Sequence, residues 1–138
     1  MSVELYEYDT KYANDIKSGK HSLNEKGNKM QLSDKLADMV KYIREEINSE
    51  MPIQQLAILL EIHKSEGITM FELGRKLGIT PGSMSRNISA LSLYMKKGEK
   101  KGLDLVTTRP DIHQRRRLAC FLTDRGISIM AEIMARIN

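Results

Sequence analysis

Residues 69–91 read TMFELGRKLGITPGSMSRNISAL, and the pair of helices encoded there decides the fold. Thr69 followed by Glu72 has the spacing of a capping box, in which a hydroxyl and a carboxylate each satisfy a free backbone donor at a helix start. A short helix over 70–77 follows. Gly78 suits the left-handed residue that ends it, and Ile79 can plug the core. Thr80 and Pro81 are then a good cap and first residue for a second helix, expected over 80–95. Two helices meeting across a four-residue turn predict a helix-turn-helix, a unit whose second helix reads the DNA major groove.

The second helix divides cleanly on a helical wheel. Met84, Ile88, Leu91 and Met95 fall on one face, a core stripe. Opposite them lie Gly82, Arg86 and Ser89, flanked by Ser83, Ser85 and Ala90. Small side chains let a helix approach base edges closely, and the forked guanidinium of Arg86 matches the O6 and N7 acceptors of guanine. The same pattern would also suit an exposed arginine among solvated serines.

Downstream, residues 96–102 (KKGEKKG) read as a basic loop. Leu103–Thr108 and Arg117–Leu122 are strand-like, separated by a polar tip containing Pro110, Asp111, His113 and Gln114. Arg109, His113, Arg115, Arg116 and Arg117 crowd this hairpin. Alternation along a strand sends neighbouring arginines to opposite faces, so two of the run 115–117 are expected to reach one partner together. Charge on an edge strand is also a common way to keep it soluble. Thr123 is placed to cap a last helix, with Ile127, Met130, Ile133, Met134 and Ile137 as its apolar stripe.

Upstream, Ser33 is a candidate cap for a helix carrying Leu36, Met39, Val40, Ile43 and Ile47 at helical spacing and ending near Asn48. Pro52 suits the first position of another, with Leu56, Ile58, Leu59, Leu60 and Ile62 buried and Gly67 beyond its end. Residues 1–32 read as an N-terminal arm. A short helix around Asp9–Ile16 and a loop over 19–27 are expected within it. Residues 33–138 are expected to form one winged helix-turn-helix domain, mainly α with a small β-hairpin wing.

The chain has 138 residues and a formal net charge of +4, and the excess is local. Residues 96–117 carry eight Lys or Arg against three Asp or Glu, whereas residues 33–67 carry four against seven. A basic patch of this kind attracts phosphate. The single cysteine, Cys120, excludes an internal disulfide and fits a reducing, cytoplasmic setting. No apolar run approaches the length of a membrane span, and the acidic start lacks the order of a signal peptide. His21, His63 and His113 lie far apart, without metal-ligand spacing, and no phosphate-binding loop motif occurs. An enzyme is not expected, nor any cofactor.

From Pro52 to Gly126 the chain resembles the MarR family of winged-helix transcriptional regulators, especially its compact, phage-like members. The resemblance is carried by Glu72-Leu73, Leu77-Gly78-Ile79, Ser85-Arg86-Asn87-Ile88, Leu91, Arg115-Arg116, Leu122-Thr123 and Gly126. It implies a homodimer, on a pseudo-palindromic operator of double-stranded DNA, with Ser85 and Arg86 at DNA-contacting positions and Arg115 and Arg116 as wing arginines; a repressor is the expected role, with activation left open. Thr80, Gly82, Ser83, Ser89, Arg109, His113 and Arg117 complete the expected DNA-facing set. It also implies an origin in a bacterium, phage or mobile element. The chain departs from the family pattern in three places. Gln114 stands where the family has Asp before the arginine pair, extra residues lie between Leu91 and Leu105, and the C-terminal helical region is short. Two alternatives stay open at this point: a winged helix that binds a partner protein, and a regulator responsive to a ligand or to oxidation of Cys120.

Overall fold

The computed structural model describes residues 31–93 and 102–138. The arm readings over 9–27, Met95 and the lysine-rich stretch 96–101 lie outside the described residues. In chain order the elements are α1 (Leu32–Glu46), α2 (Ile53–Lys64), α3 (Met70–Leu77), α4 (Pro81–Leu91), β1 (Val106–Pro110), β2 (Leu118–Leu122) and α5 (Asp124–Ile137). β1 and β2 form an antiparallel hairpin with Val106 opposite Leu122 and Pro110 opposite Leu118. This is a winged helix, mainly α with a small β wing, as the sequence predicts.

Helix ends follow side-chain chemistry, with some shifts from expectation. α1 is capped by Gln31 rather than Ser33, because the Asp34 carboxylate accepts from the Gln31 backbone N–H at 3.3 Å. It ends at Glu46, and Pro52 is the cap of α2 instead of its first residue. At α3 the Thr69 hydroxyl accepts from the Glu72 N–H at 3.1 Å, as the capping box requires. Its carboxylate half differs: Glu72 accepts from the Thr69 hydroxyl at 3.2 Å, not from a backbone donor.

Ile58, Leu59 and Ile62 of α2 are fully buried at the centre of the core, joined by Leu73, Met84, Leu91, Leu105, Met130 and Ile133. Each such side chain contributes about 1.5–3 kcal/mol relative to remaining exposed. α1 and α5 pack together across this core. The Arg136 guanidinium lies 3.9 Å from the centre of the Tyr42 ring. The apolar stripes of these two helices differ from expectation. Leu36 and Val40 are exposed on α1, leaving Ile43 buried; on α5 Ile127 is exposed and Ile129 buried. The period-3.6 pattern is wider than the face the core covers, so its margins stay on the surface.

The C-terminal half of the fold hinges on one backbone crossing. Thr123 caps α5 by accepting from the Gly126 N–H at 3.0 Å, while its hydroxyl donates to the Asp104 carbonyl at 2.7 Å. A Cβ on Gly126 would overlap the Leu105 carbonyl, so the Leu-Thr-x-x-Gly sequence is a packing requirement. The helix start sits directly on the segment that leads into β1.

Candidate nucleic-acid interface

Three residues, Gly78, Ile79 and Thr80, join α3 to α4, one fewer than the sequence suggested. Gly78 is left-handed at φ 67°, ψ 35°, and the Ile79 N–H reaches back to the Gly74 carbonyl at 2.9 Å. A Cβ on Gly74 would press on the Ile79 carbonyl at 2.9 Å. Sequence reasoning did not single out Gly74, since a glycine inside a helix gives no local signal of a neighbouring turn. Lys76 approaches Glu61 to 2.7 Å, tying α3 to α2. Its hydrogen bond holds the Glu61 carboxyl below the usual range.

Thr80 caps α4 by accepting from Ser83 N–H at 3.3 Å, and Pro81 opens the helix. Met84, Ile88 and Leu91 are buried, so the opposite face is fixed. Thr80, Gly82, Ser85 and Arg86 are exposed, Ser83 and Ser89 half-buried. The Arg86 guanidinium lies back over Gly82, 3.5 Å from where a Cβ would stand there. The helix ends at Leu91, short of the expected 80–95. Its last carbonyls are spent outside the helix: Ala90 and Leu91 accept from Leu103 and Leu105 N–H at 3.0 and 2.8 Å. Ser92 adds a side-chain bond to the Ile88 carbonyl at 2.7 Å.

The same hydrogen bonds explain why the wing begins at Val106 and not Leu103. The donors of residues 102–105 are committed to residues 90–93, with Gly102 N–H on the Leu93 carbonyl at 2.9 Å. The extra residues between Leu91 and Leu105 therefore do not push the wing away from α4. β2 is fastened on its other side, where Cys120 N–H donates to the Ile68 carbonyl at 2.8 Å and Leu122 N–H to the Glu66 carboxylate at 2.8 Å. Pro110, expected at the tip, is the last paired residue of β1.

Beyond it, Asp111 organises the tip. Its carboxylate accepts from His113 and Gln114 N–H at 3.2 and 2.9 Å, while its own N–H donates to the Arg117 carbonyl at 2.8 Å. The wing cations then separate into two groups. Arg115, Arg116 and His113 are exposed. Arg109, also exposed, and half-buried Arg117 stack on aromatic rings, 4.0 Å from the Phe121 centroid and 3.9 Å from the Phe71 centroid. Phe71, itself 47% exposed on α3, was missed because its partner is far away in sequence.

The wing and the helix pair share one surface. Arg116, Arg117 and Leu118 line a cavity of about 470 Å³ together with Phe71 and Arg75 of α3 and Pro81 and Met84 of α4. The fold is similar to that of solved MarR-family regulators. A sequence model of the MarR family matches residues 49–92, from just before α2 to the end of α4. A crystal structure of MarR is 25% identical, covering 76% of this chain and 71% of its own, with a TM-score of 0.52. A MarR transcriptional regulator from Methanosarcina mazei Go1 superposes with a TM-score of 0.55 at 22% identity, covering 76% of this chain and 70% of that one. The YusO protein from Bacillus subtilis gives 0.55 at 16% identity over 99% and 79%. No curated protein sequence matches the chain.

Two other features of this fold bear on function. Cys120 is fully buried, and burial pushes its thiol up to about 12, which keeps it protonated and unreactive. Among the described residues, no cluster of His, Cys, Asp and Glu is suited to hold a metal ion, and no helix is long and apolar enough to cross a membrane.

Proposed function

We propose that this protein is a sequence-specific, double-stranded DNA-binding transcriptional regulator that acts as a homodimer, and that it is not an enzyme. The observation that carries the reading is the meeting of α4 with the wing, where Ser85 and Ser89 border a groove with Thr107 and Thr108 of β1, and exposed Arg116 of the tip borders a cavity with Pro81 at the start of α4. On this reading α4 lies in the major groove. Arg86 reads a base edge, with Thr80, Gly82, Ser83, Ser85 and Ser89 providing close approach and short hydrogen bonds. Arg115, Arg116 and His113 meet phosphates or the minor groove. Arg109 and Arg117 were expected to do the same, but their stacking on Phe121 and Phe71 favours a role in holding the wing.

A dimer is supported by exposed apolar surface on the helices outside the reading unit, with Leu32, Leu36 and Val40 along α1 and Ile127 on α5. The residues before Gln31, the cap of α1, would serve as an arm to the domain, where the sequence suggested 1–32, and the regulatory effect would be repression. Two reading helices in successive major grooves place half-site centres about 10 base pairs apart.

Selection of bound sequences from a random DNA pool at stated salt, followed by sedimentation of the complex, tests this directly. An enriched inverted repeat bound by two copies is the expected result. Absence of any enriched sequence, together with binding that does not respond to salt, overturns it.

A further inference from the structure

The two legs of the wing tip differ in chemistry. On the return leg, Arg116 and Arg117 border the cavity beside α3 and α4. The outgoing leg holds Ile112, which is 85% exposed, more than any other large apolar side chain among the described residues. A single exposed isoleucine on a helix flank would need no explanation. Here the backbone around it is fixed. The Asp111 carboxylate binds the N–H groups of the two residues that follow Ile112, and the Asp111 N–H closes the turn onto Arg117. Ile112 is therefore held at the end of a hydrogen-bonded turn, with exposed Arg115 and Arg116 nearby in the same turn. The acid in the turn is already committed to backbone donors, so the tip presents an apolar point among cations.

We propose that Ile112 is a specificity-determining residue that enters the DNA minor groove and selects A·T over G·C pairs flanking the site read by α4; this rests on the DNA-binding reading above. The minor groove is lined by apolar sugar edges, and exposed guanidiniums beside the isoleucine favour its phosphate walls. Over A·T pairs its floor carries only the N3 and O2 acceptors, and the groove is narrow. Over G·C pairs the exocyclic N2 amino group stands up from the floor. A methyl-bearing side chain above it blocks the water that would otherwise accept its hydrogen bond, and the stranded donor raises the cost of binding.

Inosine separates this from readout in the major groove, because an inosine·cytosine pair lacks the N2 amino group but keeps the major-groove face of G·C. Affinities would be measured at one salt concentration for the full chain on its best selected site, with the flanking pairs changed in turn to A·T, G·C and inosine·cytosine. The expected result is that A·T and inosine·cytosine bind about fivefold more tightly than G·C at one symmetrical flanking position. Ile112→Ser is expected to level the three, Ile112→Val to retain the preference, and both to unfold at the wild-type temperature. Inosine·cytosine behaving as G·C, or a preference that survives in Ile112→Ser, overturns the proposal while leaving DNA binding intact. Loss of a protein partner by Ile112→Ser, with all flanks bound equally by the wild type, overturns it in favour of a protein-docking tip. Failure of the wild type to select any DNA removes the underlying reading as well.

Discussion

α4 and the wing are held in opposite ways. The helix has its orientation set by Met84, Ile88 and Leu91 in the core and by the Thr80 cap, so the direction of its outer face is set as well. The wing is anchored at its base by backbone bonds to residues 67–68 and by the Glu66 carboxylate, but farther out two guanidinium stacks replace a core. A surface fixed by packing is suited to discriminate among base edges. One fixed by cation–π contacts is suited to follow a charged backbone.

The sharpest way to break this contrast is to remove the anchor of α4. Met84→Ala leaves a void in a fully buried position and is expected to cost about 2–5 kcal/mol of stability, read from denaturant unfolding. A loss below about 1 kcal/mol would mean that α4 is not fixed by the core. Next in size, Arg86→Ala is expected to cost roughly 1–3 kcal/mol on the best DNA site and much less on unrelated DNA. Equal losses on both would assign Arg86 to the phosphate backbone.

The wing side of the contrast calls for a different readout. Replacing Arg115 and Arg116 together with alanine is expected to weaken specific and unrelated DNA alike, and to flatten the log-affinity against log-salt slope by about one for each phosphate no longer neutralised. Because both side chains are exposed, the unfolding midpoint is expected to stay near that of the wild type. Unchanged affinity and slope in a folded protein would remove the wing from the interface. Smallest of all, Phe71→Leu keeps apolar volume on α3 but removes the ring under Arg117. The stack is worth about 0.5–1 kcal/mol at such a partly exposed position, and its removal is expected to raise hydrogen exchange at the wing tip while leaving α4 protected. Equal loosening of both would show that they form one rigid unit.

The elements that were legible in the sequence are those whose determinants lie within one turn of each other. Thr69 with Glu72, Gly78, Thr80 with Pro81, and Thr123 are local signals, and each marks a helix boundary in the structure. The Met84, Ile88, Leu91 stripe likewise needs only helical periodicity. Ser33 failed as a cap because Gln31 and Asp34 offered a competing local arrangement, and α4 fell short of residue 95 because residues 102–105 claim its last carbonyls.

Tertiary structure alone decided which arginines are free. Composition shows a cluster at 109–117, and alternation shows that two of the last three can act together, but neither tells which are already engaged. Phe71 and Phe121 make that choice by lying under Arg117 and Arg109, and Phe71 reaches Arg117 only because the β2 strand pairs with the start of α3. The sequence by itself thus determined the helix-turn-helix and the outer face of its second helix, since caps and periodicity act over three or four residues. The partition of the wing between internal stacking and exposed charge, the need for glycine at 74 and 126, and the isolation of Ile112 were settled by contacts between segments distant in the chain. Such contacts leave no local pattern to read, because they depend on where the backbone returns.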